Sequence, residues 1–184
     1  MGIWLTNYEQ VFENWLVENR VQYVVVDQHK RRLFARSRIK SFDFLLYPAN
    51  SAPVIAEVKG RRFKGKSLAA LAGLECWVTM EDVRGLIRWE RVFADGFQGA
   101  FIFAYEFANV DVETDGRDVY DFQNSRYMFY AVRLNDYREF MKVRSPKWQT
   151  VTLPAAKFRE FAIPVRELLL GAGLAIGKEE VVYD

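Results

Sequence analysis

The order of periodic segments predicts an α/β fold: a helix, three strands, a helix and a strand, followed by one more strand and further helices. Three observations carry this. Apolar residues recur at helical spacing from Asn7 to Asn19 and again from Met80 to Phe93. Short apolar runs bounded by turn residues lie between them, at Val21–Val26, Phe42–Tyr47 and Val54–Lys59. The run Gly99–Phe107 is apolar without alternation, as a strand buried on both faces would be.

Each element has a local reason. Thr6 can cap the first helix, whose inward stripe is Tyr8, Val11, Phe12, Trp15 and Leu16. Glu9 and Glu13 lie four residues apart on one flank of that stripe. Val21–Val26 is the first strand, and the basic segment Lys30–Lys40 follows it. Strands two and three flank the turn Pro48–Pro53, which is rich in Pro, Asn and Ser. Gly60 is expected to end strand three, leaving Arg61, Arg62, Lys64 and Lys66 in a basic loop. Ser67–Leu74 is small and apolar, a weak helix or an extended loop. Thr79, with Asp82 three residues on, makes a box-like cap for the helix Met80–Phe93. Val83, Leu86, Ile87 and Val92 should face inward, and Asp95-Gly96 should close the helix.

Asn109–Asn124 is acidic and turn-rich. Asp111, Glu113, Asp115 and Gly116 begin like a calcium loop, but its twelfth position is Phe122 rather than a bidentate Glu, so a solvated hairpin tip is expected. Tyr127–Leu134 is a fifth strand, Asp136–Met141 a short helix and Trp148–Val151 an extended piece. Pro154–Leu170 is a last helix, strained or broken at Pro164.

Composition narrows the function classes. With 184 residues, 51% hydrophobic and 27% charged, the chain should fold as one soluble domain, 1–184. Cys76 is the only cysteine, which excludes an intrachain disulfide, suits a reducing cytoplasmic setting and points to a small core residue. His29 is the only histidine, which excludes a multi-His zinc site and argues against a His-based triad. No apolar run reaches membrane-spanning length, so no membrane partner is expected. The net charge of +2 conceals a polarity: Arg20–Lys66 holds twelve Lys or Arg against three acids, a local +9 that leaves −7 elsewhere. Such a basic segment suits a polyanionic partner.

The chemistry concentrates at Ser41–Arg62. Asp43 interrupts an apolar strand, and a carboxylate there is costly unless it is paired or binds a cation. Glu57 and Lys59 share a strand face, while Ala56 and Val58 point the other way. If the hairpin pairs so that Asp43 lies near Glu57, two carboxylates and an ammonium meet, a site for a divalent metal and a phosphate ester.

Asp on strand two and Glu-x-Lys on strand three, between two helices, resemble the PD-(D/E)XK nuclease superfamily with its restriction-endonuclease-like αβββαβ core. Glu9 to about Tyr105 looks like the archaeal Holliday-junction resolvases. The chain holds a single Glu-x-Lys, and Phe42 stands where the superfamily's name has Pro. Asn7-Tyr8-Glu9-Gln10-Val11-Phe12-Glu13 also resembles the motif that names the bacterial HYExAFE family, departing from it at Asn7 and Val11. The resemblance implies a central mixed sheet flanked by helices, with the core at about 6–107 and a C-terminal strand and helix extension at about 108–184.

It implies a magnesium-dependent endonuclease hydrolysing phosphodiester bonds in DNA, structure-selective, with Mn²⁺ as a substitute ion. Asp43 and Glu57 would be the carboxylate ligands, hard oxygens of the kind Mg²⁺ takes. By resemblance, the Val58 backbone carbonyl would be a third ligand and Glu9 a water-bridged or second-metal ligand. Lys59 would orient the attacking water or stabilise the transition state as a point charge. Arg61, Arg62, Lys64 and Lys66 would contact phosphates beside the site, with Arg31, Arg32, Arg36 and Arg38 extending the track. Trp89 and Trp148 are expected in the core, with base stacking as the alternative. DNA is the expected partner, and a homodimer is left open. The competing readings are a catalytically inactive nucleic-acid-binding module on the same fold, and an interaction protein using its basic face and aromatics.

Overall fold

The computed structural model describes residues 7–26, 40–94, 96–109 and 111–171. Thr6, His29, Arg31, Arg32, Arg36, Arg38 and Asp95 lie outside them. The elements in order are α1 (Asn7–Glu18), β1 (Gln22–Val25), β2 (Phe44–Tyr47), β3 (Val54–Phe63), β4 (Val78–Thr79), α2 (Met80–Phe93), β5 (Gln98–Phe107), β6 (Tyr120–Phe122), β7 (Ser125–Arg133), α3 (Leu134–Phe140), β8 (Lys142–Ser145), β9 (Thr150–Thr152), α4 (Ala155–Phe161), β10 (Ile163–Pro164) and α5 (Val165–Leu170).

Seven strands form one sheet in the order β1-β2-β3-β5-β7-β10, with β6 on β7. Among the described strands of this sheet only β3 and β5 run parallel, because the connection between them is a crossover through α2. The sheet is therefore mixed, and helices cover both faces. On one face Val11, Phe12, Trp15 and Leu16 of α1 pack with Phe44, Leu46, Ala56, Val58, Ile102 and Phe129. On the other, Val83 and Leu86 of α2, Tyr137 of α3 and Phe158 of α4 pack with Ile55, Phe101, Phe103 and Tyr105. Two covered faces explain the unbroken apolar run of β5. Cys76 is buried in the second core, as expected of a small hydrophobe. Among the described residues no helix is long and apolar enough to cross a membrane.

Several expectations are corrected. β3 does not stop at Gly60: it continues beside β5 as far as Phe63↔Phe107, so Arg61 and Arg62 are strand residues. The glycine serves a close approach instead, since a Cβ there would enter the ring of Tyr8 on α1. Val92 is exposed, because the inward stripe of α2 continues through Trp89 and Phe93, which pack against Phe42. The last helix is broken at Pro164, as one of the two expected outcomes: the proline sits in β10, a sheet edge, where the absent N–H costs least.

The acidic segment is solvated as expected at Asp111, Glu113, Asp115, Asp118 and Asp121, all exposed, but it is also pinned to the rest of the fold. Val112 is buried in the core, Glu113 bridges to Ser67, and Arg117 donates to the Leu68 and Ala69 carbonyls. The hairpin itself is β6–β7, turning at Gln123. A second, three-stranded sheet in the order β4-β9-β8 has no counterpart in the sequence reading beyond its extended piece at Trp148–Val151.

Candidate active site

The site forms where β2 leaves β3. The β2–β3 register ends at Phe44↔Ala56, whereas β3 continues along β5 for seven more residues, to Phe63. Asp43 occupies the gap. Its backbone N–H donates to Ala56 O at 3.0 Å, and its Oδ2 accepts from Val58 N–H at 2.8 Å. One buried side chain thus replaces the ladder bond that β2 no longer supplies. Peptide groups on alternate residues of a strand face the same edge. The Val58 carbonyl is therefore directed to the edge that Ala56 O and Val58 N–H share, beside Asp43.

Glu57 and Lys59 lie on the α2 side of β3. Lys59 Nζ donates to Glu57 Oε1 at 2.8 Å and lies 3.0 Å from Asp82 Oδ1. Lys40 Nζ also reaches Asp82 Oδ1, and it lies 3.6 Å from Glu57 Oε1. Two acids and two lysines alternate, and Asp82 and Lys40 are the members that sequence reasoning missed. Asp82 is placed by its capping box: its Oδ2 accepts from Thr79 N–H at 2.8 Å, and its own N–H donates to Thr79 Oγ1 at 3.1 Å. Lys40 is placed by α2. Trp89 Nε1 donates to the Lys40 carbonyl at 2.7 Å, and Gly85 lets that backbone approach the helix. Trp89 is thus a partly buried scaffold residue.

Charge and burial set the protonation states. Asp43, Glu57 and Glu9 are 5%, 6% and 6% exposed. Burial first, then the charges of Glu57 and Glu9, push the Asp43 carboxyl up to about 8. Glu9 on α1 therefore acts on the same spot as the strand acids. Burial also raises Glu57, against the opposing pull of Lys59 and Lys40. Burial alone would lower Lys59, but Glu57 and Asp82 outweigh it and hold the ammonium above its ordinary value. Burial would raise Asp82, yet Lys59, Lys40 and Thr79 hold its carboxyl at about 2. The α2 side is thus balanced in charge, while Asp43 is overcharged with negative neighbours.

That excess suits a cation. Among the described residues no three acidic, His or Cys side chains make a ready-built metal cage. Two carboxylates and one carbonyl are what Asp43, Glu57 and Val58 can offer, a number that suits Mg²⁺, which keeps several of its waters.

The flanking cations divide. Arg62, Lys64 and Lys66 are exposed. Arg61 is turned inward: it donates to the Gly60 carbonyl at 2.6 Å and to the Trp77 carbonyl, and its guanidinium lies 3.9 Å from the Trp77 ring centre. Its Nε is buried without a hydrogen-bond partner. Arg31, Arg32, Arg36 and Arg38 fall outside the described residues. Trp148 is 69% exposed, against the expectation that it is core.

No family model matches the chain, and no curated protein matches it in sequence. In three dimensions it is similar to Hjc, a Holliday junction resolvase from the archaeal hyperthermophile Archaeoglobus fulgidus. The TM-score is 0.50 at 11% identity, covering 87% of this chain and 98% of that one. The likeness establishes the restriction-endonuclease-like fold expected from the Asp43 and Glu57-x-Lys59 pattern, and at that identity it speaks for the fold alone.

Proposed function

We propose that the chain is a magnesium-dependent endonuclease acting on phosphodiester bonds in DNA, selective for structure rather than sequence. The observation that carries this is Asp43, a buried carboxyl fixed at the strand edge by the Val58 N–H and within electrostatic reach of Glu57, Glu9 and Lys59. Asp43, Glu57 and the Val58 carbonyl would hold the cation, with Glu9 reaching it through water. When bound, the cation supplies Lewis acidity, easing deprotonation of the attacking water and offsetting charge on the phosphoryl oxygens.

The chain's own residues do the rest. Lys59 stays charged because Glu57 and Asp82 flank it, so it acts as a point charge toward a phosphoryl oxygen and not as a resting base. Asp82 fixes the reach of that amine from the helix side, and Lys40 offsets the charge of Asp82 and Glu57. Arg62, Lys64 and Lys66, exposed at the end of β3 and in the loop after it, contact phosphates without reading bases.

The fold of a resolvase is consistent with DNA as the partner. A symmetric branched substrate cut on two strands would call for two copies of a one-site chain, hence a homodimer. The single buried thiol of Cys76 suits the cytoplasm. The resemblance to the HYExAFE family, named from Asn7–Glu13 and extending through most of the chain, is part of the same proposal.

The test is a cleavage assay on single-stranded, duplex and branched DNA with Mg²⁺ or Mn²⁺. Wild type should cut, and Lys59→Ala, Asp43→Asn and Glu57→Gln should lose about a hundred-fold or more while still binding. Binding without cleavage of any of these substrates would select the inactive nucleic-acid-binding module.

A further inference from the structure

A second basic surface lies next to the site, concealed within the net-negative remainder of the chain outside Arg20–Lys66. Residues 140–159 hold five Lys or Arg and no acid, inside the part of the chain that carries −7. Their centre is the hairpin β8–β9. Lys142, Val143, Arg144, Lys147 and Trp148 are all exposed on it. Trp148 sits in the turn between the strands, with Lys147 Nζ 5.4 Å from its ring centre. An exposed indole, 69% accessible, has no packing role to account for it.

The hairpin is held firmly and close. The turn is closed by Trp148 N–H to Ser145 Oγ at 3.3 Å and Gln149 N–H to the Pro146 carbonyl at 3.3 Å. Gln149 O accepts from Met80 N–H at 2.8 Å, and β9 pairs with β4 through Thr79↔Thr150. Met80 opens α2, whose first turn carries Asp82, the partner of Lys59. A second link runs through the rings: Arg61, two residues beyond Lys59 on the same strand face, stacks on Trp77, and the Arg144 guanidinium lies 5.1 Å from that ring centre. Trp77 is steadied by its Nε1 donating to Glu75 at 3.3 Å.

We propose that the β8–β9 hairpin binds an unpaired segment of the DNA substrate, with an exposed base stacked on Trp148 and the strand's phosphates on Arg144 and Lys147. The inference deepens the nuclease reading and rests on it for the substrate. The charge on the hairpin selects a polyanion over an apolar protein segment. The ring selects an unpaired strand over a duplex, because stacked base pairs present edges to a protein and an unpaired base presents a face. The anchoring to Met80 places that base next to the bond presented to Lys59, so the cleaved strand is one that leaves a duplex at a branch or an end.

The experiment reads binding with EDTA present, so it does not depend on cleavage. Full-length wild type, Trp148→Ala and Trp148→Phe are titrated against labelled oligothymidine, a blunt duplex and the same duplex with a single-stranded arm. Trp148→Ala should weaken the oligothymidine and armed-duplex complexes about ten-fold or more and the blunt duplex by less than about two-fold, with Trp148→Phe retaining most of the affinity. Arg144→Ala with Lys147→Ala should lower the salt slope on oligothymidine by about 1.4, two phosphates' worth. Unchanged oligothymidine affinity in Trp148→Ala, equal losses on all three DNAs, or no oligothymidine binding by wild type would each overturn the proposal. A protein that passes this test and cuts nothing retains the hairpin site and loses the nuclease reading; one that cuts and fails it does the reverse.

Discussion

Lys59 Nζ lies 3.0 Å from Asp82 Oδ1, which ties the amine of the Glu-x-Lys strand to the first turn of α2. The capping box and the candidate site are therefore one structure. Asp82 uses one oxygen to close the helix on Thr79 and the other to receive Lys59 and Lys40.

Asp82→Ala should cost about 2–4 kcal/mol of stability, since it removes a cap and leaves two ammoniums to share the single buried acid Glu57. Asp82→Asn should cost less, because the amide oxygen can still accept from Thr79. The pH dependence has a definite sign. The folded carboxyl is held at about 2, below its ordinary 3.8, so its contribution is present above the ordinary value and lost as pH falls through about 2. Denaturant melts of wild type and Asp82→Ala should converge across that window. Parallel curves would show that the network contributes nothing to acid stability.

Asp43 gives the opposite sign. Its carboxyl, pushed up to about 8 from 3.8, keeps its proton in the fold where the unfolded chain has released it. Stability should therefore fall as pH rises through that interval. Asp43→Asn removes the slope and can keep the bond from Val58 N–H. Without divalent cations it should be the more stable protein near the upper end of the window, by about 1–3 kcal/mol. Added Mg²⁺ should raise the melting temperature of wild type and leave Asp43→Asn unmoved. The measurement is thermal denaturation with EDTA and with Mg²⁺, and a less stable Asp43→Asn protein would contradict it.

The sheet was readable because its central strands are buried on both faces, and such strands advertise themselves as apolar runs. The Thr79–Asp82 box was readable because both partners lie within one turn of chain. What Asp82 does with its second oxygen was not, since the capping pattern is complete without Lys59 or Lys40, far away in sequence. β8 was missed because Lys142–Ser145 is an edge strand with almost no buried side chain and so no alternation to detect. Trp148 was expected inside because large aromatics usually are; its neighbours Pro146 and Lys147 were the available signs of a solvent-facing turn. Gly60 shows a residue type with two meanings: helix packing and strand termination both favour glycine, and only the Tyr8 ring distinguishes them.

Gly60→Ala tests that last point. The new Cβ would enter the Tyr8 ring, and Tyr8 is itself held by its hydroxyl donating to Glu106 at 3.2 Å. Overpacking of this kind costs about 1–3 kcal/mol, and the strain falls on α1 one residue from Glu9. Combining Gly60→Ala with Tyr8→Ala should recover part of the loss, a coupling read from a double-mutant cycle in urea. Strict additivity would mean that the two residues do not press on each other.

The two helix acids provide the final prediction. Glu9 and Glu13 are four residues apart, yet the fold assigns them different tasks. Glu13 Oε1 accepts from the Tyr23 hydroxyl at 2.9 Å, bracing α1 against β1. Glu9 is 6% exposed, on the same helix, and its charge is felt at Asp43. Under the nuclease reading Glu9→Gln should reduce cleavage by about ten-fold to a hundred-fold with little change in DNA affinity, because it removes charge near the cation and keeps the side chain's shape. Glu13→Gln should leave cleavage within about two-fold, its amide oxygen still accepting from Tyr23. Binding assays beside single-turnover cleavage separate the two effects. Equal losses from both variants would mean that α1 acts on the site only through its packing, and that Glu9 has no part in the chemistry.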